Sequence, residues 1–210
     1  AVKTATGPVR SNKGSCYEGG HRVPFIVSWP RGKIAKGKVS DQLIGLQDLY
    51  ATFSEIMSVT LPDLKKGEKG AEDSLSLLTA WRGEKLVDRP MFYNDHKESK
   101  DGAASAMRID NPKMSGKVAQ GKWKMFFDAS LLRAGTARPT ALFDLATDPK
   151  EERNRLKDPS LKPLVKSLVS TALLHRRAGG HRFVPLAPKK RITFDWTKPI
   201  PTPAPIVLAL

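Results

Sequence analysis

Cysteine is almost missing from this chain. Cys16 is the only one among 210 residues, so neither an intrachain disulfide nor a multi-cysteine zinc site can form. No stretch approaches the 18 consecutive apolar residues of a membrane span, and the opening Ala-Val-Lys-Thr-Ala-Thr-Gly-Pro lacks the apolar run of a secretory signal. The initiator methionine is absent too, as expected of a mature form or an internal fragment. No internal repeat is visible. Acidic residues are few, 21 Asp and Glu against 36 Lys and Arg, which leaves a net charge of +15. The balance of 40% hydrophobic and 27% charged residues is otherwise that of a globular protein. The length suits one domain, or one domain with a tail.

The positive charge is unevenly spread. Residues 1–40 carry eight basic groups and one acidic, residues 41–75 three basic and seven acidic, and residues 150–191 twelve basic and three acidic. Such a field attracts polyanions in general, whether nucleic acid, anionic membrane or sulfated polysaccharide, without choosing among them.

Periodicity predicts the elements. Val23–Trp29 is a short apolar run between Gly20 and Pro30-Arg31-Gly32, expected to form a buried strand with Pro24 at its entrance. From Asp41 to Met57, apolar residues recur every three or four positions, predicting an amphipathic helix over about 46–58. Ser74–Arg82 is expected to hold one or two helical turns. Arg89–Asp95, Ala104–Ile109, Lys122–Phe127 and Thr140–Leu145 read as strands separated by turn-forming pairs. Thr147–Glu152 reads as a turn leading into a capped helical start, and Leu161–His175 as a helix with one apolar face. Beyond Arg176 the chain is basic and rich in proline, an extended tail.

The most informative stretch is Lys13-Gly14-Ser15-Cys16-Tyr17-Glu18-Gly19-Gly20-His21-Arg22-Val23-Pro24-Phe25. Glycines beside a lone lysine suit a loop whose amides and ammonium hold an anion, or simply a demanding turn. The order of this motif, the Phe25-Ile26-Val27-Ser28-Trp29-Pro30 run that follows, Val39–Phe53, Gly70–Ser74, Gly121-Lys122-Trp123-Lys124 and Leu142–Glu152 together resemble the sulfatases of the alkaline-phosphatase-like superfamily. The resemblance covers most of positions 11–175.

It implies an α/β fold, the C-terminal part of a sulfatase-like (alkaline-phosphatase-like) architecture, with a small antiparallel sheet packed by a C-terminal helix. The implied division is 1–88 as the end of the catalytic domain, 89–175 as the small-sheet subdomain with its closing helix, and 176–210 as the tail. The implied activity is sulfuric ester hydrolysis, on a sulfated carbohydrate or an aryl sulfate. By resemblance Lys13 contacts the sulfate group; Glu18 and Arg22 are expected to hold the loop, as a pair, rather than to react. A fixed ammonium suits that task, since it stabilises both the bound anion and charge developing on its oxygens.

The family's formylglycine nucleophile arises in a Cys/Ser-x-Pro-x-Arg motif and works with Ca2+ held by Asp and Asn residues. Neither is carried by residues of this chain, and Cys16 is followed by Tyr17 and Glu18 rather than by the motif. The chain alone is therefore expected to be inactive, its partner being an N-terminal half of the enzyme, and by resemblance it is periplasmic or secreted. His96, among polar neighbours after a predicted strand, is a candidate substrate contact or an ordinary loop histidine. His21 is expected to satisfy local hydrogen bonds, and His175 and His181 to belong to the helix end and tail. Trp123, Phe126, Phe127 and Phe143 read as core rather than as a stacking platform for bases. A noncatalytic polyanion-binding module is the second reading, and nucleic-acid binding rests on charge alone.

Overall fold

The computed structural model describes residues 9–94, 105–114, 116–128 and 138–178. Six strands follow one another, β1 (Met91–Asn94), β2 (Ser105–Asp110), β3 (Lys113–Met114), β4 (Lys117–Val118), β5 (Lys122–Phe127) and β6 (Pro139–Asp144). Four of them form one antiparallel sheet in the order β1-β2-β5-β6, and β3 pairs only with β4. The helices are α1 (Glu18–His21), α2 (Asp48–Ile56), α3 (Leu78–Trp81) and α4 (Lys162–Ala178). The four strands predicted between residues 89 and 145 and the closing helix are present, within a few residues of their expected ends.

Strand alternation gives the sheet two buried faces. In register, Met107 faces Met125, Ile109 faces Trp123 and Met125 faces Leu142. These side chains, with Phe127, pack against Leu164, Leu168 and Ala172 of α4. The three helical residues are four apart, so one stripe of α4 meets the sheet. Burying a leucine there contributes about 2 kcal/mol. Asp158 accepts a hydrogen bond from Ser160 N at 3.0 Å and ends the turn that feeds the helix.

The opposite face carries Ala106, Phe126 and Phe143, and it is closed by Cys16 with Tyr17 and Leu145 packed around it. Trp123, Phe126, Phe127 and Phe143 are therefore core side chains on both faces. The Thr147–Glu152 segment is a turn, not yet a helix. Asp148 accepts from Glu152 N at 3.1 Å and Arg153 N at 2.8 Å, and α4 begins ten residues after Glu152, at Lys162.

Val23–Trp29 corrects the expectation of a buried strand. The segment is coil, with Ile26 90% exposed and Val23 61% exposed. A strand needs a neighbour for its ladder, and among the described residues none lies beside this run. The helix predicted at 46–58 forms as α2, but its buried side is Asp48, Ala51, Thr52 and Ser54.

Candidate functional site

The Lys13 motif folds as a closed loop. Gly19 N donates to Arg10 O at 2.8 Å, and Gly20 N to Tyr17 O at 2.8 Å. The paired glycines are required by crowding. A Cβ on Gly19 would lie 2.2 Å from Ser11 O, and one on Gly20 would lie 2.0 Å from Ser15 O. Gly14, with φ +94°, turns the chain at the tip in a conformation that side chains disfavour. Cys16 points into the core, 1% exposed, and its Sγ lies 3.6 Å from Tyr93 O. It is structural.

Glu18 follows Cys16 inward, and within its own loop its Oε1 lies 3.6 Å from His21 Nε2. Its carboxylate lies 3.0 Å from Lys124 Nζ and 3.1 Å from Arg108 Nη1, both on the sheet. Arg22 is exposed. Lys124, fully buried, is also 3.0 Å from Glu151 Oε1 and 3.0 Å from His21 Nε2. The contact with Glu151 Oε1 is an ion pair outside hydrogen-bond geometry. The other oxygen of Glu151 accepts from Glu18 N at 2.7 Å. Glu151 itself holds φ +55°, a strained backbone that the surrounding contacts over-determine. Arg10 completes the clamp. Its Nη1 donates to Glu151 O at 2.9 Å, and its guanidinium lies 4.0 Å above the Tyr17 ring.

The electrostatics follow from burial among opposed charges. Burial pushes the Glu18 carboxyl up, but Lys124, Arg108 and His21 together outweigh it and hold it below its ordinary value. Glu151 goes the other way, raised by burial that Lys124 offsets only in part. His21, stacked on Tyr93 with ring centroids 3.7 Å apart, is lowered to about 4 by burial and then by the Lys124 charge. His21 is thus neutral at pH 7. Burial likewise raises the Tyr93 phenol.

Three of the quoted sequence motifs therefore meet at one point. The loop supplies Glu18, Gly121-Lys122-Trp123-Lys124 supplies Lys124, and the strand-to-turn motif supplies Glu151. Lys13 stands outside the cluster, exposed, with no ion pair among the described residues. Its ammonium is free to meet an anion, and the base of its loop is anchored. His96 lies outside the described residues. Sequence reasoning missed the partners of Glu18. The signal available was Lys124 at an inward position among Trp123, Met125, Phe126 and Phe127 of a predicted strand.

A second buried pair shapes the region around α2. Asp48 pairs with Arg89 and accepts from Gly45 N at 2.8 Å and Leu75 N at 3.1 Å. Thr52 Oγ1 accepts from Leu77 N at 2.9 Å, and Ser74 Oγ from Ala51 N at 2.8 Å. The buried carboxylates of Glu18, Glu151 and Asp48 are thus committed to cations and amides of the chain itself. They do not fit a calcium site, and among the described residues no group of three His, Cys, Asp or Glu side chains is placed to hold a metal ion. Nor is any helix there long and apolar enough to cross a membrane.

A small antiparallel sheet packed by a C-terminal helix is the arrangement that the sulfatase resemblance implies. No protein-family model matches the chain. Curated relatives do match. The N-acetylgalactosamine-6-sulfatase of Canis lupus familiaris is 40% identical over 89 residues, 42% of this chain and 16% of the relative. The N-acetylgalactosamine-6-O-sulfatase of Bacteroides thetaiotaomicron is 27% identical over 161 residues, 72% of this chain and 27% of the relative. Among solved structures, a 2-O GAG sulfatase is 18% identical with a TM-score of 0.34, covering 62% of this chain and 25% of that one. Over the matched residues the chain is similar to these sulfatases. It spans only 16% to 27% of the length of these two curated relatives.

Proposed function

We propose that this chain is the C-terminal portion of a sulfuric ester hydrolase acting on a sulfated carbohydrate, with Lys13 contacting the sulfate group. The supporting observation is the convergence of Glu18, Lys124 and Glu151, which anchors the loop and leaves Lys13 exposed at its tip. An ammonium held there stabilises a bound sulfate and charge developing on its oxygens. Similarity to an N-acetylgalactosamine-6-sulfatase and an N-acetylgalactosamine-6-O-sulfatase supports that substrate class. In this reading residues 1–88 end the catalytic domain, 89–175 form the small-sheet subdomain and 176–210 the tail. The formylglycine nucleophile and the calcium ligands belong to a partner segment outside these 210 residues, and the protein is exported. His96 is proposed as a further substrate contact.

The test is sulfate release from a 6-sulfated N-acetylgalactosamine substrate by this chain joined to the segment carrying the Cys/Ser-x-Pro-x-Arg motif. Lys13→Ala is expected to lower kcat/KM roughly 100-fold or more. The 210-residue chain alone is expected to release none. Turnover by the isolated chain, or an unchanged kcat/KM in Lys13→Ala, overturns the assignment.

A further inference from the structure

The sheet face that carries the Lys13 loop continues past Lys124. Along β2 and β5, Ala106 stands opposite Phe126, Arg108 opposite Lys124 and Asp110 opposite Lys122, as successive rungs of one face. The loop covers the first two rungs, with Cys16 and Tyr17 on Ala106 and Phe126, and Glu18 on Arg108 and Lys124. At the third rung a cleft of about 120 Å³ opens, lined by residues 41–43 and 85–89 together with Asp110, Asn111 and Lys122.

Its walls are braced. Gln42 Nε2 donates to Glu84 O at 3.0 Å, and Leu86 N donates back to Gln42 Oε1, which lashes the two segments together. Arg89 is buried against Asp48 and donates to Asp73 O at 2.8 Å. Lys122 Nζ lies 2.8 Å from Asp41 and ties segment 41–43 to β5. A cleft held in this way is formed before a ligand arrives.

The lining narrows the occupant. Each of its carboxylates stands beside a cation, Asp41 with Lys122, Asp88 with Lys85 at 3.2 Å, and Asp110 with Arg108 Nε at 3.5 Å. The cleft therefore presents no net field of one sign to an anion or a cation. Apolar ligands fit no better, because they would strip water from charged groups and return no hydrogen bond. A hydroxyl fits, since it donates to a carboxylate and accepts from an ammonium at once. The pairs Asp41–Lys122 and Asp88–Lys85 sit at the exposed rim and hold each other weakly, so their spare donors and acceptors are open to a ligand. Asp110 is only 8% exposed, and its Oδ1 makes no hydrogen bond. Burial raises its carboxyl above the ordinary value, and Arg108 and Lys122 oppose that rise only in part, which marks a carboxylate short of donors. The volume lies below the roughly 300 Å³ at which pockets accept drug-sized ligands, so a single ring is the right scale.

We propose that this cleft is a subsite for an uncharged sugar of the glycan chain that bears the sulfate, with its hydroxyls bonded by Asp41, Asp88, Asp110 and Lys122. The assignment rests on the proposed sulfatase function, which supplies the glycan. Reach agrees with it. The third rung lies two residues, about 7 Å, along the strands from Arg108 and Lys124. Lys13 is five residues before Glu18 and so stands at most about 17 Å from it. A chain whose sulfate meets Lys13 can place a sugar a few units away in the cleft.

The experiment titrates an uncharged galactose–N-acetylglucosamine disaccharide into the 210-residue chain and follows the backbone amides by NMR. The expected result is a set of saturable shifts over 41–43, 85–89, 110, 111 and 122, with a Kd on the order of 1 mM. That Kd is expected to change less than about 2-fold between roughly 0.05 and 0.5 M salt, because the ligand carries no charge. Asp41→Ala/Asp88→Ala is expected to weaken binding about 10-fold or more with Tm unchanged, since both carboxylates belong to rim pairs. Asp110→Asn, which keeps the shape, is expected to weaken it as well, because a neutral acceptor bonds a hydroxyl less strongly. No saturable shift up to about 50 mM sugar overturns the proposal. So do shifts centred on other residues, or an unchanged Kd in the double variant. Binding that requires a sulfated sugar and fades with salt assigns the cleft to an anion and overturns it too. The probe bears no sulfate, so its binding is read without turnover. Sugar binding beside a failure to release sulfate defeats the proposed function alone, and sulfate release without sugar binding defeats the subsite alone.

Discussion

Lys124 Nζ and Glu151 Oε1 lie 3.0 Å apart with both side chains sealed from solvent, although one sits mid-sheet and the other in the turn after β6. Glu18 completes the triad from the Lys13 loop. Two carboxylates share one ammonium, with Arg108 adding a second cation on the Glu18 side. Removing the lysine leaves both carboxylates facing a low-dielectric interior. Lys124→Met is expected to cost about 3–5 kcal/mol in urea unfolding. A loss below about 1 kcal/mol would show that the cluster does not hold the loop.

Acid should loosen the same region. His21 is lowered from 6.5 to about 4 by burial and the Lys124 charge, so the unfolded chain takes up its proton first. The stability this contributes is complete above pH 6.5 and lost as pH falls toward 4. Glu18, held below 4.5, adds a loss at still lower pH. Glu151, raised above 4.5, opposes them, since the folded state is the one that binds its proton more readily. The expected net result is a decline in unfolding free energy between pH 6.5 and 4 that is reduced in His21→Asn. Proton NMR should place the His21 midpoint near 4, and a midpoint near 6.5 would refute the burial argument.

Crowding at the paired glycines separates them from Gly14. Gly19→Ala and Gly20→Ala drive a methyl into backbone oxygens at 2.2 and 2.0 Å, so the loop must open. Each is expected to cost roughly 2–3 kcal/mol. Gly14→Ala meets nothing within 4 Å and bears only the left-handed penalty, about 1–2 kcal/mol. Thermal unfolding of the three variants ranks them. Equal losses would mean that conformation, not contact, sets the requirement.

Asp48 anchors α2 to the chain on either side of it. Asp48→Ala strands the Arg89 guanidinium in a buried site and frees Gly45 N and Leu75 N. The expected cost is about 3–5 kcal/mol, partly recovered in the double variant Asp48→Ala/Arg89→Met, where no unpaired charge remains. A double variant as unstable as the sum of the singles would exclude a coupled pair.

Local pattern was enough for the elements near the sheet. Short runs with aromatic or β-branched members between turn-forming pairs placed four strands, and the spacing of Leu164, Leu168 and Ala172 placed α4, because both signals lie within a few residues of chain. The order of motifs was enough to point to the sulfatases. Two expectations met a different outcome. Val23–Trp29 has the composition of a strand, but a strand exists only beside a partner. The apolar period of 46–58 located α2 correctly, yet it could not say which side would be buried. Polar groups on the other side find Arg89, Ser74 and Leu77 and win the inward position.

The sequence by itself determined the four strands of the sheet, α2 and α4, the excess of positive charge, and the single cysteine that rules out an intrachain disulfide. Tertiary structure alone decided who pairs with whom. Glu18 reaches Lys124 across 106 positions and Glu151 across 133, distances at which no local spacing carries information. Burial then set the protonation states, since the same carboxylate chemistry is lowered at Glu18 and raised at Glu151 by nothing more than the cations and solvent each one meets.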